Sequence, residues 1–242
     1  MILSVNKDDF VNTLLGPVSK LADNLLLDFK QDSNSSTKVK TLVTSQDNSV
    51  ILLGEIACKV SDPFRCIIPD CKTFLRLFSG IEDSTVSLTI NSNAIEYKQR
   101  NLSFKYHLLD ESYVVNKKSI SEEKLSALTF DTKFNLSKSK LSEIIKYNSI
   151  VPDAEKLYFF TEDGKVVARL GDKEKSNTNE IITEISSNYE GDLLSDSYPM
   201  NIQSALLFSF NEQDISVSVN QQLKVFKFET NNLKYIVSGL VK

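Results

Sequence analysis

One histidine, three cysteines and seven glycines in 242 residues leave little from which to build the common catalytic sites. His107 stands alone in the strand-like run Lys105-Tyr106-His107-Leu108, so no second imidazole is present to share a metal. No Gly-x-Ser-x-Gly places a nucleophile for a triad. None of the glycines forms Gly-x-Gly-x-x-Gly or a phosphate loop ending in Gly-Lys, so no nucleotide cradle and no cofactor are expected. Cys58, Cys66 and Cys71 are odd in number and lack histidine company, which argues against a disulfide framework and a zinc site; they read as inert, half-buried thiols. The acidic pairs Asp8-Asp9, Glu122-Glu123 and Glu162-Asp163 are sequence neighbours and read as helix-start charges, a solvated linker and a turn. Enzymatic activity is therefore not expected. The longest apolar runs, 25–27 and 50–53, fall far short of the roughly 20 residues of a membrane helix, and no signal-like N-terminus precedes them. A cytosolic protein without a membrane partner is the expectation.

What is present is ordinary globular composition, 41% hydrophobic and 25% charged, at a length that suits two compact domains. The net charge of −4 argues against binding an acidic polymer over the whole surface. Any contact with nucleic acid must come from a local basic face.

The stretch 134–170 describes the architecture. Phe134 and Leu136 alternate with polar residues, Ser137 is a good N-cap, and Leu141, Ile144 and Ile145 share a helical face. Residues 156–160 and 165–170 then read as strands joined at Glu162-Asp163-Gly164, where Gly takes the positive φ of a tight hairpin. The same unit recurs. A strand at 2–5, the cap Asn6 and a helix over 7–15, stopped by Gly16-Pro17, open the chain; a strand at 64–68, the cap Asp70 and a helix over 71–78 follow. Met200 and Ile202 lead into a helix over 203–210. Taking Phe10, Phe74, Leu141 and Leu207 as the first buried helical residues, the separations are 64, 67 and 66. Val5, Pro69, Leu136 and Ile202 lie five residues before these anchors, and Leu3, Ile67, Phe134 and Met200 seven before, the inward positions of a strand.

Between the units the residues alternate as strands at 25–31, 38–44, 50–59, 85–90, 94–99, 102–108, 180–186, 214–219, 223–229 and 233–240, with a polar, acidic loop over 188–197. The expected fold is α+β: domains at 1–110 and 127–242 joined by a connector at 111–126, each with two helices on antiparallel sheet.

The helices carry the informative charge. Lys72 and Arg76 are four apart, Lys138, Lys140 and Lys146 decorate the third helix, and Lys7 and Lys20 flank the first. Such a surface is either simply solvated or faces a polyanion with ammonium groups matched to phosphates.

The runs Leu3-Ser4, Asp70-Cys71-Lys72-Thr73-Phe74-Leu75-Arg76-Leu77, Leu136-Ser137-Lys138-Ser139-Lys140-Leu141 and Leu233-Lys234-Tyr235-Ile236-Val237 resemble those of DNA sliding clamps of the kind encoded by T4-like bacteriophages, relatives of proliferating cell nuclear antigen. The resemblance implies a processivity factor: a ring of six domains, hence a homotrimer, loaded by an ATP-dependent clamp loader and tethering a DNA polymerase in the host cytoplasm. It implies that Lys7, Lys20, Lys72, Arg76, Lys138, Lys140 and Lys146 face double-stranded DNA without reading sequence. It places subunit contacts on edge strands, here Leu102, Phe104, Lys105, Tyr106 and Leu108 in the first domain and Val166, Val167, Arg169 and Leu170 in the second, with Lys105 and Arg169 facing acidic neighbours. Tyr113, Val114, Val115, Leu240 and Val241 would form an apolar pocket for partner peptides, although linker residues of this kind are as readily packed down. The fourth helix, without Lys or Arg, departs from the pattern. The alternative is a β-rich oligomeric structural protein, such as a virion component.

Overall fold

The computed structural model describes residues 1–31, 37–99, 102–110, 121–175, 177–196, 198–206 and 213–240. The chain folds as two compact units, Met1–Ser119 and Ile120–Lys242. Of the expected connector, 111–120 lies outside the described residues, while Glu122–Ser126 forms a short helix (α4) capped by the Ser121 side chain.

In the first unit β1 (Ile2–Asn6) ends at Asn6, whose side chain accepts from Asp9 N–H and starts α1 (Lys7–Asp9). The sequence predicts a stop at Gly16-Pro17. Instead the helix runs on through a π-helical stretch, Phe10–Leu15, into α2 (Gly16–Leu21). The reason is local. Gly16 N–H reaches back five residues to the Val11 carbonyl, and this wider turn comes just where an α-turn would press the Pro17 ring on the preceding carbonyls. The proline sits near the start of the renewed α segment, where its missing N–H does least harm.

Eight antiparallel strands form the first unit's sheet in the order β5-β2-β3-β4-β1-β6-β7-β8. They are β2 (Leu25–Gln31), β3 (Thr37–Thr44), β4 (Val50–Val60), β5 (Phe64–Ile68), β6 (Thr85–Ile90), β7 (Ala94–Gln99) and β8 (Leu102–His107). Between β5 and β6, α3 (Cys71–Ser79) is capped by Asp70, which accepts from Thr73 N–H at 2.9 Å and Thr73 Oγ1 at 2.6 Å. Phe10, Phe74 and Phe78 form the aromatic core beneath the helices, with Phe74 also 4.9 Å from the Tyr106 ring. The Tyr106 hydroxyl donates to the Asp70 carbonyl at 2.8 Å and accepts from its N–H at 3.0 Å, tying β8 to the start of α3.

The second unit has two sheets. One follows the order β13-β9-β15-β16-β17, the other β12-β11-β10-β14. Their strands are β9 (Thr132–Leu136), β10 (Lys156–Glu162), β11 (Lys165–Leu170), β12 (Ile181–Ser186), β13 (Tyr189–Gly191), β14 (Met200–Asn201), β15 (Ile215–Asn220), β16 (Val225–Glu229) and β17 (Leu233–Ser238). The supposed loop over 188–197 thus contributes β13, which pairs with β9. Ser137 caps α5 (Lys138–Ile150), which buries Leu141 and Ile144 but leaves Ile145 half-exposed. The β10–β11 hairpin turns on Asp163 (φ 49) and Gly164 (φ 77) with Glu162 opposite Lys165, the two-residue turn whose positive φ values suit twisted strands. Phe159 anchors the core between Phe134, Phe226 and Phe228.

Three of the four repeat anchors, Phe10, Phe74 and Leu141, are buried. The fourth, Leu207, lies outside the described residues; α6 is described over Gln203–Leu206.

Cys71 is fully buried and its Sγ lies 3.5 Å from the Leu15 carbonyl. Burial pushes its thiol up to about 12 and that of Cys58 up to about 11. At pH 8 the thiolate fraction of either is negligible. The folded protein should therefore react with Ellman's reagent at least tenfold more slowly than the same chain in guanidinium, as read from absorbance at fixed time; equal rates would refute the burial of these groups.

Candidate nucleic-acid interface and sheet edges

The seven cations differ in how they are held. Lys72 and Arg76 emerge from the exposed side of α3, opposite buried Phe74 and Phe78. Lys72 Nζ is 3.8 Å from Asp23 Oδ1, both ends exposed, so the pair is loosely held and salt-screened. Lys138 and Lys146 are exposed on α5. Lys140 is half-buried and its Nζ is 2.9 Å from Glu143 Oε2. Lys7 Nζ donates to the Ile81 carbonyl just beyond the end of α3, which makes it a tie between helices. Lys20 lies in the last turn of α2, where burial lowers the pKa of its ammonium. An open cleft of about 420 Å³ brings Lys20 and Lys72 together with Ser19, Asp23, Gln46 and Asp47. Sequence reasoning missed Asp23 and Glu143 as partners, because their pairing depends on the turn after α2 and on the rotation of α5.

Strand edges divide the expected subunit contacts. β8 is the edge of the first unit's sheet, pairing with β7 alone among the described residues. Its Leu102 is 37% exposed, and Phe104 is half-buried against the Tyr97 ring. Lys105 already meets Glu96 at 3.4 Å. Tyr106 points inward and is buried, and Leu108 lies past the strand with its N–H on the Asn93 carbonyl.

The expectation for β11 is overturned. β11 is flanked by β10 on one side and β12 on the other, so its backbone groups are taken and Val166, Val167 and Leu170 are buried. Arg169 is engaged within its own unit: 3.4 Å from Glu180, 3.3 Å from Asp196 and over the Phe160 ring at 5.1 Å. The Asp196 carboxyl is held below its usual range by the hydrogen bond from Lys173, with the charges of Lys173 and Arg169 adding to it. Among the described residues the edge is β12, where Ile182 is 46% exposed. The sequence held no clear signal for this: β11 carries the adjacent apolar residues Val166-Val167-Ala168, and β12 also opens on an adjacent apolar pair, Ile181-Ile182.

Of the expected peptide pocket, Tyr113, Val114, Val115 and Val241 lie outside the described residues. Leu240 is 39% exposed, and its N–H donates to the Pro199 carbonyl at 2.7 Å. Near it in the hydrogen-bond network stand Leu223 (56% exposed) and Leu193 (70%). Gln221 holds the segments together: its N–H donates to Asp131 Oδ2, its amide nitrogen to the Leu193 carbonyl, and its amide oxygen accepts from Ser195 N–H. Gly239 N–H donates to the Lys224 carbonyl. His107 is exposed on β8, and among the described residues no three His, Cys, Asp or Glu side chains gather as a metal site. No described helix is long and apolar enough to cross a membrane.

Two units, each with helices on antiparallel sheet, define the DNA sliding-clamp fold, and comparison with solved structures bears this out over the whole chain. The PCNA of A. fulgidus, solved with the C-terminal region of FEN-1 bound, superposes with a TM-score of 0.77 at 10% identity, over 100% of this chain and 99% of that one. The PCNA of Thermococcus kodakaraensis gives 0.75 at 13% identity, over 99% of this chain and 100% of that one. The DNA polymerase III beta subunit of Thermotoga maritima gives 0.74 at 11% identity over 100% of this chain, which spans 65% of that chain. No protein-family model and no curated protein matches the sequence.

Proposed function

We propose that the chain is the protomer of a DNA sliding clamp, of the kind T4-like bacteriophages encode, with no catalytic activity of its own. The observation that supports this most is the likeness in fold to clamps over the full chain. Exposed cations on α3 and α5 of a protein with net charge −4 agree with it.

In this reading three chains close a ring head to tail, because each supplies two of six domains. Edge strand β8 of one protomer adds to edge strand β12 of the next. Lys20, Lys72, Arg76, Lys138 and Lys146 face duplex DNA. Diffuse contacts with phosphate let the ring slide, where bidentate base contacts would pin it, and topology rather than affinity keeps it on the template. A separate ATP-dependent loader opens the ring in the host cytoplasm, and the closed ring tethers a DNA polymerase. The leucines at 193, 223 and 240 offer partner proteins an apolar foothold; A. fulgidus PCNA, of similar fold, has been solved with the C-terminal region of FEN-1 bound.

The test is primer extension with the cognate polymerase and loader. Adding the protein should lengthen products at least tenfold under single-encounter conditions. Unchanged product length, the outcome for a structural virion protein, would sink the reading.

A further inference from the structure

The first unit's sheet has a second face, and it too is basic. Gly54 shows which face is which: a Cβ there would lie 2.6 Å from Leu14 Cδ2 and 3.3 Å from Thr41 Cγ2. Even-numbered residues of β4 and odd-numbered residues of β3 therefore look toward the helices. Burial of Leu27, Phe29, Val39, Leu52 and Ile56 agrees. Strand alternation sends the intervening residues to the helix-free side.

Pairing then sets these residues in rungs. Arg65, Asp28, Lys40 and Glu55 lie side by side across β5, β2, β3 and β4. One same-face step along, Lys30 stands opposite Lys38, and Lys38 opposite Ala57. A further step along β4, Lys59 stands opposite Ser4. Asp28 is shared by Lys30 at 3.0 Å and Arg65 at 3.3 Å, and Glu55 by Lys38 and Lys40. Burial raises the Glu55 carboxyl, but hydrogen bonds and charge from Lys38 and Lys40 outweigh it and hold it below the usual range. Across β5, β2, β3 and β4, five cations against two carboxylates leave this part of the face positive at neutral pH, on a chain that is acidic overall. In the other direction the next rung is apolar, with Leu42 opposite Leu53, both half-buried.

Two polyanions could meet such a face, and the geometry separates them. None of these outward positions is aromatic, so bases would find no stacking platform. Phosphates come with every nucleotide and could not avoid Asp28 and Glu55. A peptide can space its carboxylates to skip them and set apolar residues on Leu42 and Leu53, the usual mix of apolar ground and charge in protein interfaces. We propose that the helix-free face of the first unit docks an acidic segment of a partner protein, whose carboxylates meet Lys30, Lys38, Lys59 and Arg65.

The experiment measures fluorescence anisotropy of the full chain with three labelled probes at low salt: a peptide of four Glu-Ser-Leu-Ser repeats, a 20-nucleotide oligo(dT) and a 20-base-pair duplex. The variants are Lys30→Glu/Lys38→Glu/Lys59→Glu, the same triple to Gln in case charge reversal impairs folding, and Lys72→Gln/Arg76→Gln on α3. Peptide affinity should fall at least tenfold in both sheet-face variants and stay unchanged in the α3 variant, which should lose duplex affinity instead. The proposal is overturned if the peptide does not bind, if the α3 variant loses it equally, or if oligo(dT) binds more tightly than the peptide and is the probe lost from the sheet face. Failure of the clamp reading would show separately, as duplex binding untouched by the α3 variant.

Discussion

Replacing Lys72, Arg76, Lys138 and Lys146 together with Ala should abolish most duplex binding while leaving the fold and the oligomeric state as they were. Each of these side chains is exposed on a helix whose opposite side fills the core, so removing the charge costs no packing. The magnitude follows from counterion release. Each cation that meets a phosphate contributes about 0.9 to the slope of log K against log salt, so the quadruple variant should flatten that slope by about 3.6 per protomer engaged and weaken binding on the order of a hundredfold at low salt. Titration of labelled duplex at several salt concentrations reads both quantities. Lys7 and Lys140 are left out because the Ile81 carbonyl and Glu143 already hold their ammonium groups. Lys7→Ala serves as the contrast: it should lower the melting temperature of the chain and change the salt slope little. If the quadruple variant kept its slope, the helices would be merely solvated and the DNA-facing assignment would fail.

Local chemistry was the legible part of this sequence. Asn6, Asp70 and Ser137 each cap the helix that follows, as their side chains and the next apolar residues imply. β6 alternates exposed and buried along its whole length, and Asp163-Gly164 makes the expected turn. Three features escaped because they depend on residues far away or on unusual backbone. The first helix passes Gly16-Pro17 only because a π-helical stretch precedes it, a register that side-chain periodicity does not announce. β13 was hidden in an acidic loop because three residues give no periodicity; pairing with β9 makes it a strand. The edge of a sheet is a property of the neighbours, so a strand of known position could still be given the wrong rank. The charge partners followed the same rule: Lys72 meets Asp23, forty-nine positions away by subtraction, across the turn that follows α2.

The shift from β11 to β12 makes the assembly testable by substitution. Leu102 on β8 and Ile182 on β12 are large apolar side chains exposed at 37% and 46%, on strands that have one open edge each among the described residues. An open edge offers unpaired backbone groups, and an exposed apolar side chain beside it gains burial when a second strand adds. Leu102→Glu or Ile182→Glu should therefore place an unpaired carboxylate within the new interface, at a cost on the order of 2–4 kcal/mol per contact, and weaken association at least thirtyfold. Both positions are solvent-facing in the single chain, so its own melting temperature should move by no more than a few degrees. Light scattering across a concentration series should show the unaltered chain as a trimer and either variant as a monomer at low micromolar concentration. Arg169→Ala on β11 supplies the control. It removes the contacts with Glu180, Asp196 and Phe160, so it should destabilise the second unit while leaving the association constant unchanged. The opposite pattern, assembly lost with Arg169→Ala and kept with Ile182→Glu, would return the interface to β11 and require β12 to swing away from the strand it now covers.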